Sequence, residues 1–127
     1  MGLEHFSISF ESGKKAYRPG EVVSGRVSWQ VEAEPKSAEV SLFWHTVGRG
    51  TEDVEVVDKC SLHVSGLSTE MPFSFTLPDS PYSFSGTLIS LVWAVELVLS
   101  DPDHSYMEEI VVSPILEEVK LPTIESV

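Results

Sequence analysis

A period of two runs through most of the chain. Between Val23 and Val31, the positions Val23, Gly25, Val27, Trp29 and Val31 alternate with Ser24, Arg26, Ser28 and Gln30. Successive side chains on a strand point to opposite faces, so this pattern predicts a strand with one face on a core. The same rhythm sets Ala38, Val40, Leu42 and Trp44 against Glu39, Ser41, Phe43 and His45. Val54, Val56, Cys60, Leu62 and Val64 share a phase that Asp58 breaks, which predicts a bulge or an edge. Met71, Phe73, Phe75 and Leu77 alternate with Pro72, Ser74 and Thr76; Pro72 assigns this run to an edge. Leu91, Trp93, Val95, Leu97 and Leu99 make the longest face, and Tyr106 to Val112 and Ile115 to Leu121 complete the set.

Turn signals separate these runs. Arg18-Pro19-Gly20-Glu21 places Pro at i+1 and Gly at i+2, as a type II turn requires. Gly48-Arg49-Gly50, Ser65-Gly66, Pro78-Asp79-Ser80-Pro81 and Asp101-Pro102-Asp103 are further breaks. No stretch carries a 3.6-residue period. About eight short strands at this spacing predict an all-β, two-sheet antiparallel β-sandwich of the immunoglobulin-like class, one domain filling residues 1–127.

Charge narrows the partners. Eight Lys and Arg stand against twenty Asp and Glu, a net charge of -12. Nucleic acid needs a basic face to neutralise phosphates, so nucleic-acid binding is not expected, nor is attraction to an anionic membrane surface. A basic or neutral protein partner suits the acidic surface better. Cys60 is the sole cysteine, so no intrachain disulfide and no Cys-rich zinc site is expected. The first six residues lack a basic n-region and an apolar h-region, and Phe6 stands where a myristoylation signal wants Ser or Thr. The longest apolar run, Leu88 to Leu99, is interrupted by Ser90 and Glu96 and is too short for a membrane span. A cytoplasmic domain without membrane insertion is the expectation.

Two blocks of sequence are more specific. Phe6-Ser-Ile-Ser-Phe10 followed by Tyr17-Arg-Pro-Gly-Glu-Val-Val-Ser-Gly-Arg-Val27 resembles the opening of an arrestin-type domain, with its Tyr-x-Pro-Gly-Glu turn. Phe73-Ser-Phe-Thr-Leu-Pro-Asp-Ser-Pro-Tyr-Ser-Phe-Ser-Gly86, running into Ile89-Ser-Leu-Val-Trp-Ala-Val95, is similar to that family's second signature block. The resemblance implies an arrestin-like sandwich and a binding role, and its motif residues serve the fold. Trp93 is expected in the core with its indole N–H on a backbone carbonyl. Classical arrestins carry two such domains, and the sorting-type and sporulation-control members also extend beyond one. The family's phosphate-sensing basic pair has no match: Lys14-Lys15 lies before the Pro-Gly turn. Phosphate sensing is therefore not carried over.

Reactive constellations are weak, and no catalytic residue, metal site or cofactor is expected. Cys60 and His63 are three apart, on opposite sides of a strand, and Cys60 shares the core phase. Ser83 to Gly86 lacks the spacing of a nucleophile elbow, and Gly48-Arg49-Gly50 lacks the Lys-Ser/Thr of a phosphate loop. Asp101, Asp103 and His104 share one loop, where Asp and Pro are ordinary turn formers. The chain is thus expected to be a non-enzymatic protein-interaction or scaffold module. The alternative is a carbohydrate- or ligand-binding sandwich, although Trp29, Trp44 and Trp93 all fall on core phases and only Tyr82 and Phe84 are candidates for display. The terminal Ile124-Glu-Ser-Val127 is a weak match to a PDZ ligand.

The binding surface is expected where strands are apolar on both faces. The reverse face of the long strand reads Leu88, Ser90, Val92, Ala94, Glu96, Val98, and Phe43, Val47 and Val57 add apolar groups in outward phases. Phe43, His45, Val57, Val92 and Glu96 therefore mark the candidate interaction face. Either a homodimer or a segment of the same chain, Gly66 to Glu70 or the C-terminal tail, has to cover it.

Overall fold

The computed structural model describes residues 4–48, 50, 52–86 and 88–120, without the side chains of 119 and 120. Ten strands follow in order: β1 (His5–Phe10), β2 (Ala16–Tyr17), β3 (Val22–Gln30), β4 (Ser37–Gly48), β5 (Val54–Leu62), β6 (Ser68–Thr76), β7 (Phe84–Ser85), β8 (Ile89–Ser100), β9 (His104–Val112) and β10 (Val119–Lys120). A single 3-10 turn, Glu11–Gly13, separates β1 from β2. One sheet has the order β1–β3–β6. The other, wider sheet runs β5–β4–β8, with β9 and β7 both on the far side of β8, β2 beside β9 and β10 beside β7. All long pairs are antiparallel. The two-residue pairs β2–β9 and β7–β10 are parallel, a departure from the wholly antiparallel expectation.

The inward rows agree across strands, which is why the alternation could be read. Ile8 and Phe10 of β1, Val23, Val27 and Trp29 of β3, and Phe73 and Phe75 of β6 pack against Val40 and Leu42 of β4, the β8 row Leu91 to Leu99, and Ile110 and Val112 of β9. Each large apolar side chain so buried contributes roughly 1.5–3 kcal/mol. Trp93 is wholly buried, and its Nε1–H donates to the Pro81 carbonyl at 2.9 Å, as expected. Two residues on, buried Ser83 is tied to β9: its N–H donates to the Val112 carbonyl (2.7 Å), and its Oγ accepts from the Val112 N–H (2.9 Å). The Pro81–Ser83 stretch is thus a strap across the ends of β8 and β9.

The signature turn behaves as its sequence requires. Gly20 sits at φ +83, and the Glu21 N–H donates to the Arg18 carbonyl at 3.1 Å, closing a type II turn. Gly25 has a different reason. A Cβ there would lie 1.9 Å from the Ser9 carbonyl oxygen on β1, so the tight β1–β3 approach excludes a side chain.

Several expectations are corrected. The β4–β5 register steps from Leu42↔Asp58 to Phe43↔Val56, leaving Val57 as the extra residue of a bulge. The bulge turns Val57 inward, half-buried against the core, and leaves Val54 and Val56 outward at 67% and 54% exposure. Cys60 pairs with Val40 in the inward phase yet is exposed. It lies on the edge strand β5, beyond the cover of the narrower three-stranded sheet. Trp44, nearer that edge than Trp93, is only half-buried. Ile115 to Leu121 is not one strand: Pro114 removes a ladder donor, a bent segment with Leu116 at φ +59 follows, and only Val119–Lys120 pairs. Leu121 and the C-terminal Ile124-Glu-Ser-Val127 lie outside the described residues.

Three substitutions test this packing. Trp93→Ala should lower unfolding free energy by about 3–5 kcal/mol in urea titration, because it leaves a cavity and an unpaired Pro81 carbonyl. A loss under about 1 kcal/mol would remove Trp93 from the core. Gly25→Ala should also destabilise markedly, whereas Gly66→Ala, strained in backbone but open in space, should cost less in the same assay.

Candidate interaction face

The two outer faces of the sandwich differ in kind. On the three-stranded sheet, the outward rows pair Ser7 with Ser28, Ser9 with Arg26, Ser24 with Ser74 and Ser28 with Glu70. Its polar groups find partners: the Ser7 and Ser28 hydroxyls meet at 2.5 Å, and Arg26 Nε donates to Glu70 at 2.6 Å. This is a solvated surface.

The wide sheet's outer face is apolar at its centre. Its middle row runs Val56, Phe43, Ala94, Glu109 across β5, β4, β8 and β9. One step along the strands lies Val54, His45, Val92; one step the other way, Lys59, Ser41, Glu96, Met107. Phe43 is 8% exposed beside the fully buried Ala94, and its ring lies 5.7 Å from the His45 imidazole. Around them Val54, Val56, Val47 and Met107 remain exposed. Exposed apolar groups gathered on one face make it a candidate interaction surface.

Two polar groups in this patch differ in their surroundings. His45 Nε2 is buried without a hydrogen-bond partner. Glu96 has no ion pair or side-chain hydrogen bond among the described residues, and burial pushes its carboxyl above the ordinary carboxylate range.

Four of the five residues expected to mark this face, Phe43, His45, Val92 and Glu96, do share it. Val57 does not, for the bulge turns it into the core and puts Val54 and Val56 in its place. The signal for those two was the phase break at Asp58. The segment Gly66 to Glu70 does not cover the face: Ser68–Glu70 opens β6 and pairs with β3 in the opposite sheet. Beyond the Glu96 row the face continues into a shallow cleft of about 600 Å³, lined by Lys36, Glu39, Ser61, His63, Val98 and Ser100 among others.

The remaining candidates are engaged elsewhere. Lys14 pairs with Glu21 and lies 4.9 Å from the Tyr17 ring centre. Lys15 pairs with Glu108 at 2.7 Å and lies 5.7 Å from the Phe10 ring centre. The hydrogen bond from Lys15, then that from Tyr106, holds the Glu108 carboxyl below its usual range. Asp103 Oδ1 accepts from the Asp101 N–H (3.1 Å), Asp101 pairs with Lys36 (3.0 Å), and His104 faces Glu4 (3.4 Å), all turn and surface contacts. Among the described residues, no helix is long and apolar enough to cross a membrane.

Comparison with known proteins supports the fold. No family model matches the chain, and neither does any curated protein sequence. Among solved structures, the sporulation control protein Spo0M from Bacillus subtilis superposes at a TM-score of 0.66 and 21% identity, covering 89% of this chain. This chain spans 50% of that protein's length. The all-β, two-sheet sandwich is of arrestin-like form and shares its fold with Spo0M. A superoxide reductase (neelaredoxin) from Ignicoccus hospitalis follows at a TM-score of 0.48 and 12% identity, covering 87% of this chain and 82% of its own, too low to carry any argument.

The burial of Glu96 has a measurable sign. Its raised folded-state pKa means that stability falls as pH rises from the ordinary carboxylate range through that raised value. Glu96→Gln should flatten this part of the stability–pH curve. Glu108→Gln should do the reverse, removing stability that is present above the ordinary carboxylate pKa and lost on acidification. Urea titrations from about pH 2 to 7 check both, and a Glu96→Gln curve parallel to wild type would contradict the burial.

Proposed function

We propose that this chain is a non-enzymatic protein-interaction or scaffold module that binds a protein partner through the outer face of its wide sheet. The observation that carries this reading is the contrast between the faces: one serine-rich and internally paired, the other apolar, with Val47, Val54, Val56 and Met107 exposed around Phe43. The binding role implied by the resemblance to arrestin-type domains points the same way. The net charge of -12 favours a partner with a basic rim, whose association weakens as salt rises. A cytoplasmic setting belongs to this reading, because an exposed unpaired thiol such as Cys60 persists best in a reducing compartment. Burial of Trp29 and Trp93 removes two of the three tryptophans from any sugar-binding platform, which favours a protein partner over a carbohydrate.

Affinity capture with three baits tests the reading. Wild type and Val22→Glu, which adds charge to the opposite face, should retain the same protein, and Val56→Glu should lose it. Retention by all three baits would move the interaction off this face.

A further inference from the structure

The cleft beyond the Glu96 row is built around one position of β4. Glu39 lies there on the outward phase, with Ser61 of β5 opposite on one side and Val98 of β8 on the other. Two residues back along β4, Ser37 faces Ser100 of β8. The Lys36 N–H donates to the Ser100 carbonyl at 2.9 Å, which holds the segment from Glu34 to Lys36 against β8 as a wall. Leu62, Val64 and Val98 supply the apolar lining. At about 600 Å³ the cleft has the size of a ligand site.

Its polar groups are left free. Glu39 is half-buried and has no ion pair or side-chain hydrogen bond among the described residues. The hydroxyls of Ser37, Ser61 and Ser100 stand around it, also without partners among the described residues. Lys36, the one lysine or arginine lining the cleft, is engaged outside it, with its Nζ 3.0 Å from Asp101. The cleft therefore offers a carboxylate, three hydroxyl acceptors and an apolar wall, with no cation of its own to satisfy them. Among the described residues no group of metal-ligating side chains gathers there, so an organic cation is the better match.

We propose that this cleft receives the guanidinium of an arginine on the partner protein, with Glu39 as its counter-ion. A guanidinium carries five donors in a planar fork, two for the carboxylate and others for the hydroxyls beside it, while the side-chain stem packs on Val64 and Val98. A lysine ammonium is a compact point charge with three donors and matches this spread of acceptors less well. Half-burial of Glu39 makes the pair stronger than one on an open surface. The inference rests on the reading of the wide sheet's outer face as an interaction surface. It gives the basic partner favoured by a net charge of -12 a defined place to anchor.

Titration of the isotope-labelled chain with N-acetyl-arginine amide, read by backbone amide shifts in NMR at about 150 mM salt, is the test. The expected result is a saturable response in the millimolar range, confined to amides around Glu39, Ser61 and Ser100. The lysine analogue should bind several-fold more weakly, and the neutral citrulline analogue should give no response. Glu39→Gln should weaken binding by roughly tenfold or more. Ser61→Arg, which sets the chain's own guanidinium opposite Glu39, should block it, while Glu117→Gln, exposed in the bent segment before β10, should leave it unchanged. A response scattered over the acidic surface, or one indifferent to Glu39→Gln and Ser61→Arg, overturns the proposal. So does equal binding of the lysine analogue, or a response at the cleft to inorganic phosphate and not to arginine. Capture of the partner separates this inference from the reading it rests on. A partner lost with Val56→Glu but held by Glu39→Gln and Ser61→Arg overturns the cleft assignment and leaves the interaction face standing.

Discussion

β8 is apolar on both faces, and the architecture follows from covering it. Its inner row, Leu91 to Leu99, closes the core against the three-stranded sheet, while its outer row holds Val92, the fully buried Ala94 and Val98. Such a strand has no place at an edge. It sits between β4 on one side and β7 with β9 on the other, all paired antiparallel. The register is locked because a one-residue slip would exchange Trp93 for Ala94 and turn the indole out of the core. The bond from Trp93 Nε1 to Pro81, with the Ser83 strap on β9, secures the same alignment from the segment that leads into β8.

The edge strand β5 shows how a local irregularity shapes a surface. A long regular edge with free backbone groups invites unwanted pairing, and a bulge with charged neighbours blunts it. Val57 supplies the bulge, and Asp58 and Lys59 the charges. Moving Val57 inward reverses the phase on either side of it. That is how Val54 and Val56 join Phe43 and His45, enlarging an apolar surface that a regular strand would have kept half as wide.

The fold was legible wherever alternation and turn chemistry agreed. Gly20 at positive φ, the edge position of Pro72, the inward rows of β3, β6 and β8, and the partner class of the Trp93 indole could all be read from residue order. Burial at the margins could not, because it depends on how far the opposite sheet extends. Cys60 and Trp44 carry the inward phase, but three strands do not span the seven that they face. The face was legible in part: the doubly apolar β8 and the outward Phe43 and His45 were visible, whereas Val54 and Val56 required knowing which residue the bulge absorbs. The stretch after Pro114 misled because Ile115 and Val119 suit a strand, while chain direction there is set by a turn.

Fold and surface draw on different residues of this chain. The positions that carry the arrestin-type resemblance have structural duties: Gly20 makes a turn, Gly25 admits a neighbouring backbone, Pro81 accepts the indole hydrogen bond, and Trp93 fills the core. Phe43, His45, Val54, Val56 and Glu96 lie outside those blocks, and Val92 lies within one on the outward phase. A sandwich can therefore keep its strands while its outer face changes freely, which is how 21% identity coexists with a TM-score of 0.66. The signature residues specify where the strands run; the exceptions to their alternation, a bulge at Val57 and a strand apolar on both sides, give the wide sheet its apolar outer face.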